Sequence, residues 1–388
     1  MAIKDVNKNR LAYNQRIYPA EVLLNNFVDK EVQSILYPLN LMQNLVLSPK
    51  YFIKDNHATP NSIFSYILSI IRIFFSCILF AYNPMTILNV HTMVMIYYFY
   101  VYIFDFVFYF IGYTIECSVN YIYEIENVAS VLTIQDIYRF IDDKRLFKTY
   151  TKYSWFSVVF LFSFYFVYFL FVCYYLWDIA SWDYVVASLG MICFDANFVY
   201  AMRYLCLLKT FVVSWNNQVC RSQSSCETKL YFKQMFIVYQ GILKCYDSLK
   251  ICFQPFATFY VLEILVHGLI HIHLKNIPFF FFQFLTSEPF LFLYVFLFKN
   301  ITMLTLLCLN CENFYTTLES SMDVCILILN SKCTNEERRL SKNVQRLHNV
   351  TFSKLSLSGF TSVDSKLLIR FLQVFTYYII VLLQFSFL

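Results

Sequence analysis

Apolar runs of about twenty residues or more alternate with mixed stretches bearing lysine and arginine along most of this chain. A run of that length with few charges predicts a helix crossing a bilayer, whose hydrocarbon core is about 30 Å thick. Such runs cover residues 63–82, 86–113, 155–177, 183–209, 253–272 and 289–309, and a seventh covers 364–388. The first is expected to close at Asn83-Pro84. Charges interrupt several of them: Arg72 in the first, Asp105 in the second, Asp195 and Arg203 in the fourth, and Lys299 in the sixth. An arginine at membrane depth costs on the order of 3 kcal/mol, so Arg72 is expected to meet a carboxylate or to reach the interface.

The stretches between the runs carry their own patterns. Residues 1–60 are polar to mixed, with turn or extended signals at Tyr37-Pro38-Leu39 and Ser48-Pro49-Lys50. The first apolar stretch, 17–27, is broken by Pro19, Glu21, Asn25 and Asn26 and does not read as a signal peptide. The N-terminus is therefore expected to stay on the side where it is made. Residues 229–246 place apolar side chains at helical spacing with lysines between them and lead almost directly into the fifth run. That helix is expected to continue well below the membrane. Residues 335–347 predict a short polar helix. Either these pieces pack as a bundle that holds subunits together, or they are solvated loop helices.

The basic residues fix an orientation. Lys and Arg crowd the N-terminal segment and the connections between the second and third, fourth and fifth, and sixth and seventh runs. Among the other three loops there is only Lys275. Cytoplasmic loops carry the excess of basic residues, so the N-terminus is expected in the cytoplasm and the C-terminus outside. This is inverted relative to G-protein-coupled receptors. No Asp-Arg-Tyr ends the third run and no Asn-Pro-x-x-Tyr lies in the seventh.

Composition agrees: 59% hydrophobic, 21% aromatic and 14% charged residues describe a multi-span membrane protein rather than a soluble domain. The net charge of +5 reports orientation here and does not point to nucleic acid. Five glycines leave little room for phosphate-cradling loops, and there is no Gly-x-Ser-x-Gly and no evident carboxylate pair, so no enzyme activity is expected. The thirteen cysteines are scattered, many inside apolar runs, as Cys77, Cys173, Cys193 and Cys308 are. They read as small hydrophobes. Cys308 and Cys311 form a CxxC without a second pair, and Cys220 and Cys226 flank a polar loop as free thiols, so no metal or other cofactor is expected. The sequons at Asn300 and Asn349 are expected to stay unmodified, one inside a span and one in the cytoplasm.

The last run, LLIRFLQVFTYYIIVLLQFSFL from Leu367, is apolar apart from Arg370, Gln373, Thr376 and Gln384, and is expected to leave almost no tail on the far side. Tyr377, Val381, Gln384 and Leu388 share one stripe at helical spacing. Several copies around an axis would line a pore with it; alternatively, Gln384 bonds a neighbouring helix as packing glue.

Tyr378, Ile379, Ile380, Val381, Leu382, Leu383, Gln384 and Phe385 resemble the C-terminal signature of insect gustatory receptors: Thr-Tyr, five apolar residues, then Gln-Phe. Tyr377 stands at the threonine position, with Thr376 displaced by one. Further stretches are similar to the same family, particularly its moth and butterfly members: Tyr37 to Asn40, Phe194 to Asn197, Trp215-Asn216, Cys311 to Tyr315 and Lys342 to Val344. The resemblance covers nearly the whole chain. It implies an all-α membrane protein with seven transmembrane helices per subunit, four subunits, a cytoplasmic anchor and one shared pore lined by the last helix. The expected division is a cytoplasmic segment 1–60, a ligand-binding bundle 61–320 with cytoplasmic extensions, an anchor segment 321–363 and a pore helix 364–388.

The implied activity is a ligand-gated, non-selective cation channel in the plasma membrane of a gustatory neuron dendrite, opened by a small tastant, a plant compound of the bitter type. Its partners would be membrane lipid, monovalent and divalent cations, and further copies of the chain or other receptor subunits. Gln384 would ring the pore with amide dipoles, with Val381 and Phe385 as a hydrophobic constriction and Tyr377 and Ile380 beside them. The ligand site is expected in the outer half of the earlier helices. Aromatic residues crowd that half: Tyr97, Tyr98, Tyr174, Tyr175, Trp177, Trp182, Tyr184, Tyr260 and Tyr294. Among them stand Asn89, His91, Asp195, Glu263, His267 and His271. Apolar walls with a few oriented polar groups are the usual small-molecule site, although an interfacial aromatic belt explains Trp177, Trp182 and Tyr184 equally well. Glu263, His267 and His271 recur every four residues on one helix face, too far apart along it for good metal geometry. The rivals are a secondary transporter, disfavoured by the odd helix number, the lack of an inverted repeat and the low glycine content, and a subunit that gates only with a partner.

Overall fold

The computed structural model describes residues 26–87, 93–141, 143–176, 190–222, 229–275 and 288–386. It is mostly helical. In chain order the elements are α1 (Lys30–Leu45), the hairpin β1 (Phe52–Lys54) and β2 (His57–Thr59), then α2 (Ile63–Ile87), α3 (Met93–Ile122), α4 (Glu124–Ile141) and α5 (Lys144–Leu176). They continue with α6 (Ile192–Ser222), α7 (Lys229–Lys275), α8 (Glu288–Asn330), α9 (Asn335–Thr351), the hairpin β3 (Ser356–Leu357) and β4 (Thr361–Ser362), and α10 (Ser365–Ser386). Six helices, α3, α5, α6, α7, α8 and α10, are long and apolar enough to cross a membrane. A shorter apolar stretch, Ile63–Ile78, lies in α2.

Length explains the architecture. α7 has 47 residues and α8 has 43. At 1.5 Å per residue they reach about 70 Å and 65 Å, twice a hydrocarbon core. Roughly half of each must therefore pack outside an apolar layer. At that end α7 packs against α4, α9 and the second hairpin, α8 packs against α9, and the first hairpin packs on α4. α4 presents Val128, Val131, Ile134, Ile137 and Ile141 at helical spacing and lays them against α7. α9 presents Leu340, Val344 and His348 on one face. Thr334 caps α9: its hydroxyl accepts from the Glu337 amide at 3.3 Å, and the Glu337 carboxylate accepts from the Thr334 amide at 2.7 Å. Tight turns finish the hairpins. Asp55 and Asn56 both have positive φ, the two-residue turn whose twist matches a hairpin. Gly359 supplies φ +84° in the second.

Four expectations about local structure are corrected. Pro38 lies inside α1 and is buried, since Val32, Ile35, Leu36, Leu39 and Met42 give that segment an apolar face worth more than the lost hydrogen bond. α2 does not stop at Asn83-Pro84 and runs to Ile87, as helices in an apolar environment tolerate proline. The second span sits lower than expected, over 93–122, and α8 runs on past residue 309 to Asn330 because Phe314, Leu318, Cys325 and Ile328 continue its buried face. The joined helix over 229–275 and the polar helix from Asn335 are as expected.

α6 is the axis of the fold. It packs against α8, α7, α5, α1 and α4, and 72% of its span is buried. Trp215 is fully buried near its end and donates from Nε1 to the Met235 carbonyl at 2.9 Å. α10 is the opposite case, with 17% buried and its main helix contacts made to α7 and α8.

Candidate functional site

The first turns of α6 put Asp195 into the bundle, where its carboxylate is 1% exposed. Three donors surround it. The Tyr165 hydroxyl of α5 donates to Oδ2 at 2.8 Å, the Tyr260 hydroxyl of α7 lies 3.0 Å from Oδ1, and the Lys299 ammonium of α8 lies 2.6 Å from Oδ2. Lys299 also stands over the rings of Tyr165 and Phe296. A buried carboxylate is tolerable when paired and hydrogen-bonded in this way.

One turn along α7 the chain of polar groups continues. The Glu263 carboxylate accepts from Asn300 Nδ2 at 3.1 Å and from the Tyr109 hydroxyl at 3.3 Å. Asn300 Oδ1 lies 3.2 Å from the Tyr260 hydroxyl, which links the Asp195 and Glu263 groups. His267 follows at i+4. Its Nδ1 donates to the Glu263 carbonyl at 3.1 Å and its Nε2 to Asp105 Oδ1 at 3.1 Å. Both ring nitrogens face oxygen acceptors, which is the bonding pattern of an imidazolium. Phe104, Phe108 and Tyr109 wall that ring, with the Phe108 and Tyr109 centroids 5.1 Å away. Counted with His267 charged, three carboxylates and two cations share one aromatic-walled region fed by α3, α5, α6, α7 and α8.

The sequence-chosen residues divide cleanly. Asp195, Tyr260, Glu263 and His267 come together in this network. Tyr174 lies near the end of α5 and is 79% exposed. His91, Trp177, Trp182 and Tyr184 lie outside the described residues, as do the side chains of Tyr97, Tyr98, Tyr175, Tyr294 and Phe385. Asp105, Tyr109, Tyr165, Lys299 and Asn300 belong to the network and were not chosen. The charges of Asp105 and Lys299 inside apolar runs were the available signal, because such charges seek each other.

A second buried pair lies further along the same face of α3. Arg72 meets Glu116 at 2.6 Å, as its position inside an apolar run required, and Glu116 also accepts from Asn197 at 2.9 Å.

α10 presents two faces. Leu367, Phe371 and Phe375 recur every four residues and are buried against α7 and α8. Phe375 seats on Gly268, where a Cβ would come within 2.8 Å of its ring. Gly268 is the residue after His267, so the seat of α10 adjoins the network. On the other face Gln373, Tyr377, Ile380, Val381 and Gln384 are exposed. No family model matches this chain, and no curated protein matches it.

Proposed function

We propose that the chain is a receptor subunit of the gustatory type: a seven-helix, ligand-gated, non-selective cation channel with its N-terminus in the cytoplasm and four α10 helices around a shared pore. The observation that carries this reading is the outward amide face of α10. Gln373 reaches the Tyr377 hydroxyl at 3.4 Å, but a membrane helix that turns Gln384 away from its own subunit leaves that amide short of partners in lipid, so it needs water or other copies of the chain. Four Gln384 amides would give a polar ring without fixed charge, with Val381 beside it.

The network behind α10 supports a ligand site of matching logic. In the proposed orientation it lies in the outer half of the bundle. A small molecule with an apolar body and a hydrogen-bond-donating group suits aromatic walls and excess carboxylate. Binding there would shift α7 and α8, and the Phe375–Gly268 seat would pass that shift to α10.

The test is whole-cell current from cells expressing this chain alone, challenged with plant metabolites, with Gln384→Ala alongside. Ligand-evoked current whose ion selectivity or block changes in the variant is expected. Surface expression without such current, both alone and with a co-expressed receptor, or current indifferent to Gln384→Ala, removes the pore assignment. A second reading, a secondary transporter, draws on the chain of ionisable groups from Asp105 through His267 and Glu263 to Lys299, the kind of relay transporters use. Ligand uptake without channel current would favour it. Current restored by a co-expressed receptor would make the chain a subunit that needs a partner.

A further inference from the structure

Lys50 is a cation in the wrong place. It lies in the segment between α1 and β1 and is 5% exposed. Among the described residues its ammonium makes one hydrogen bond, a long one of 3.3 Å to Asn120 Oδ1. Two aromatic faces complete its surroundings, Tyr200 at 5.1 Å and Phe256 at 5.4 Å. An ammonium has three donors, and burying one without a counter-charge is costly.

The neighbouring carboxylates are committed elsewhere. Glu116 gives Oε2 to Arg72 at 2.6 Å and Oε1 to Asn197 at 2.9 Å. Glu126 reaches Cys252 electrostatically and keeps partial contact with solvent. Glu116 is thus paired with Arg72, and among the described residues Lys50 has no carboxylate within ion-pair distance. Burial holds the Lys50 pKa below the ordinary lysine value, with Cys252 and then Glu116 opposing that shift.

Beside Lys50 is a cavity of about 20 Å³. Apart from apolar wall, its lining is rich in donors: Asn127, Ser130, Tyr204 and Ser248. The buried Tyr204 hydroxyl neighbours Ser130 and Cys245 but makes no hydrogen bond of good geometry among the described residues. A cavity of this size takes one small ion or one or two waters, and no organic ligand.

We propose that this cavity binds a single small inorganic anion, a halide such as chloride, between the Lys50 ammonium and the Tyr204 hydroxyl. The anion completes the charge balance of the buried pair of cations and satisfies the unpartnered hydroxyl. The site joins α3, α4, α6 and α7 to the segment before α2, so its occupancy tightens the place where the membrane-length helices meet the extra layer.

The experiment uses the full chain purified in detergent. Thermal midpoints are measured in sodium chloride and in sodium gluconate at equal ionic strength, for the wild type, Lys50→Gln and Tyr204→Phe. Chloride is expected to raise the wild-type midpoint by on the order of 2 °C at 150 mM, if it binds about tenfold below that concentration. Bromide should substitute. In Lys50→Gln the chloride dependence should vanish, and in Tyr204→Phe it should at least halve. Equal wild-type midpoints in the two salts would mean that the cavity holds water and would overturn the site. So would an equal chloride shift in the wild type and Lys50→Gln. If Lys50→Gln yields no folded protein, the wild-type and Tyr204→Phe titrations decide the matter: an undiminished shift in Tyr204→Phe overturns the site.

Discussion

α6 and α10 are both long enough to cross a membrane, and the protein uses them in opposite ways. α6 buries 72% of its span and takes its polar residues inward. Asp195 meets two tyrosines and a lysine, Asn197 meets Glu116, and Arg203 bonds Ser154 and lies over Tyr150. α10 buries 17%, places Leu367, Phe371 and Phe375 inward, and sends its amides out. An apolar solvent offers polar groups nothing, so each must be satisfied by protein or water. α6 solves that problem within one chain at Asp195 and Arg203, while Asn197 Oδ1, Tyr204, Ser214, Asn216 and Gln218 keep buried polar atoms with no partner among the described residues. α10 leaves it to be solved by something else, and this asymmetry is what makes it the pore candidate.

Breaking the inner solution should cost most. Asp195→Ala leaves Lys299 buried and unpaired, and removing one partner of a buried pair costs about 3–5 kcal/mol. The expected result is a large fall in the thermal midpoint, or no folded protein, read by fluorescence-detected size exclusion. Gln384→Ala should leave the same trace unchanged. A midpoint that drops equally in both variants would erase the distinction between the two helices.

The contact between α10 and the body is the next test. Gly268→Ala places a methyl against the Phe375 ring, and overpacking of this kind costs about 1–3 kcal/mol. Phe375→Leu in the same chain should recover most of it. Additive losses in the double variant would show that Gly268 and Phe375 do not press on each other.

The smallest effect is expected away from both helices. His348 on α9 is held by the Tyr239 hydroxyl at 2.9 Å and stacks on Phe352. Burial keeps its pKa below the ordinary histidine value, with Glu319 opposing weakly. A depressed histidine favours the neutral form in the fold, so the unfolded state binds more protons as pH falls below about 6.5 and stability is lost in that direction. Hydrogen exchange in α9 should therefore quicken between pH 7 and pH 5.5, while α6 stays protected. His348→Gln should flatten that response, and exchange that quickens equally in the variant would exclude His348 as its source.

Much of this was written in the order of residues. Runs of apolar side chains longer than a bilayer core marked seven candidate spans, of which six are helices long and apolar enough to cross a membrane among the described residues, and charges inside those runs announced that Arg72, Asp105, Asp195 and Lys299 would need partners. Helical spacing from Lys229 onward also announced a span continuing past the apolar layer. The sequence did not mark α4 or the far half of α8, because their apolar faces are diluted by charges and hydropathy averages over both sides of a helix. Which charge would meet which was also beyond it. Asp195 with Lys299 and His267 with Asp105 are pairs more than a hundred residues apart. Separations of that kind are set by how helices pack, and so is the choice of which face of α10 is hidden. Local pattern determines that a helix forms and that it is apolar; only the neighbours it finds in three dimensions decide which of its polar groups are satisfied and which are left facing out.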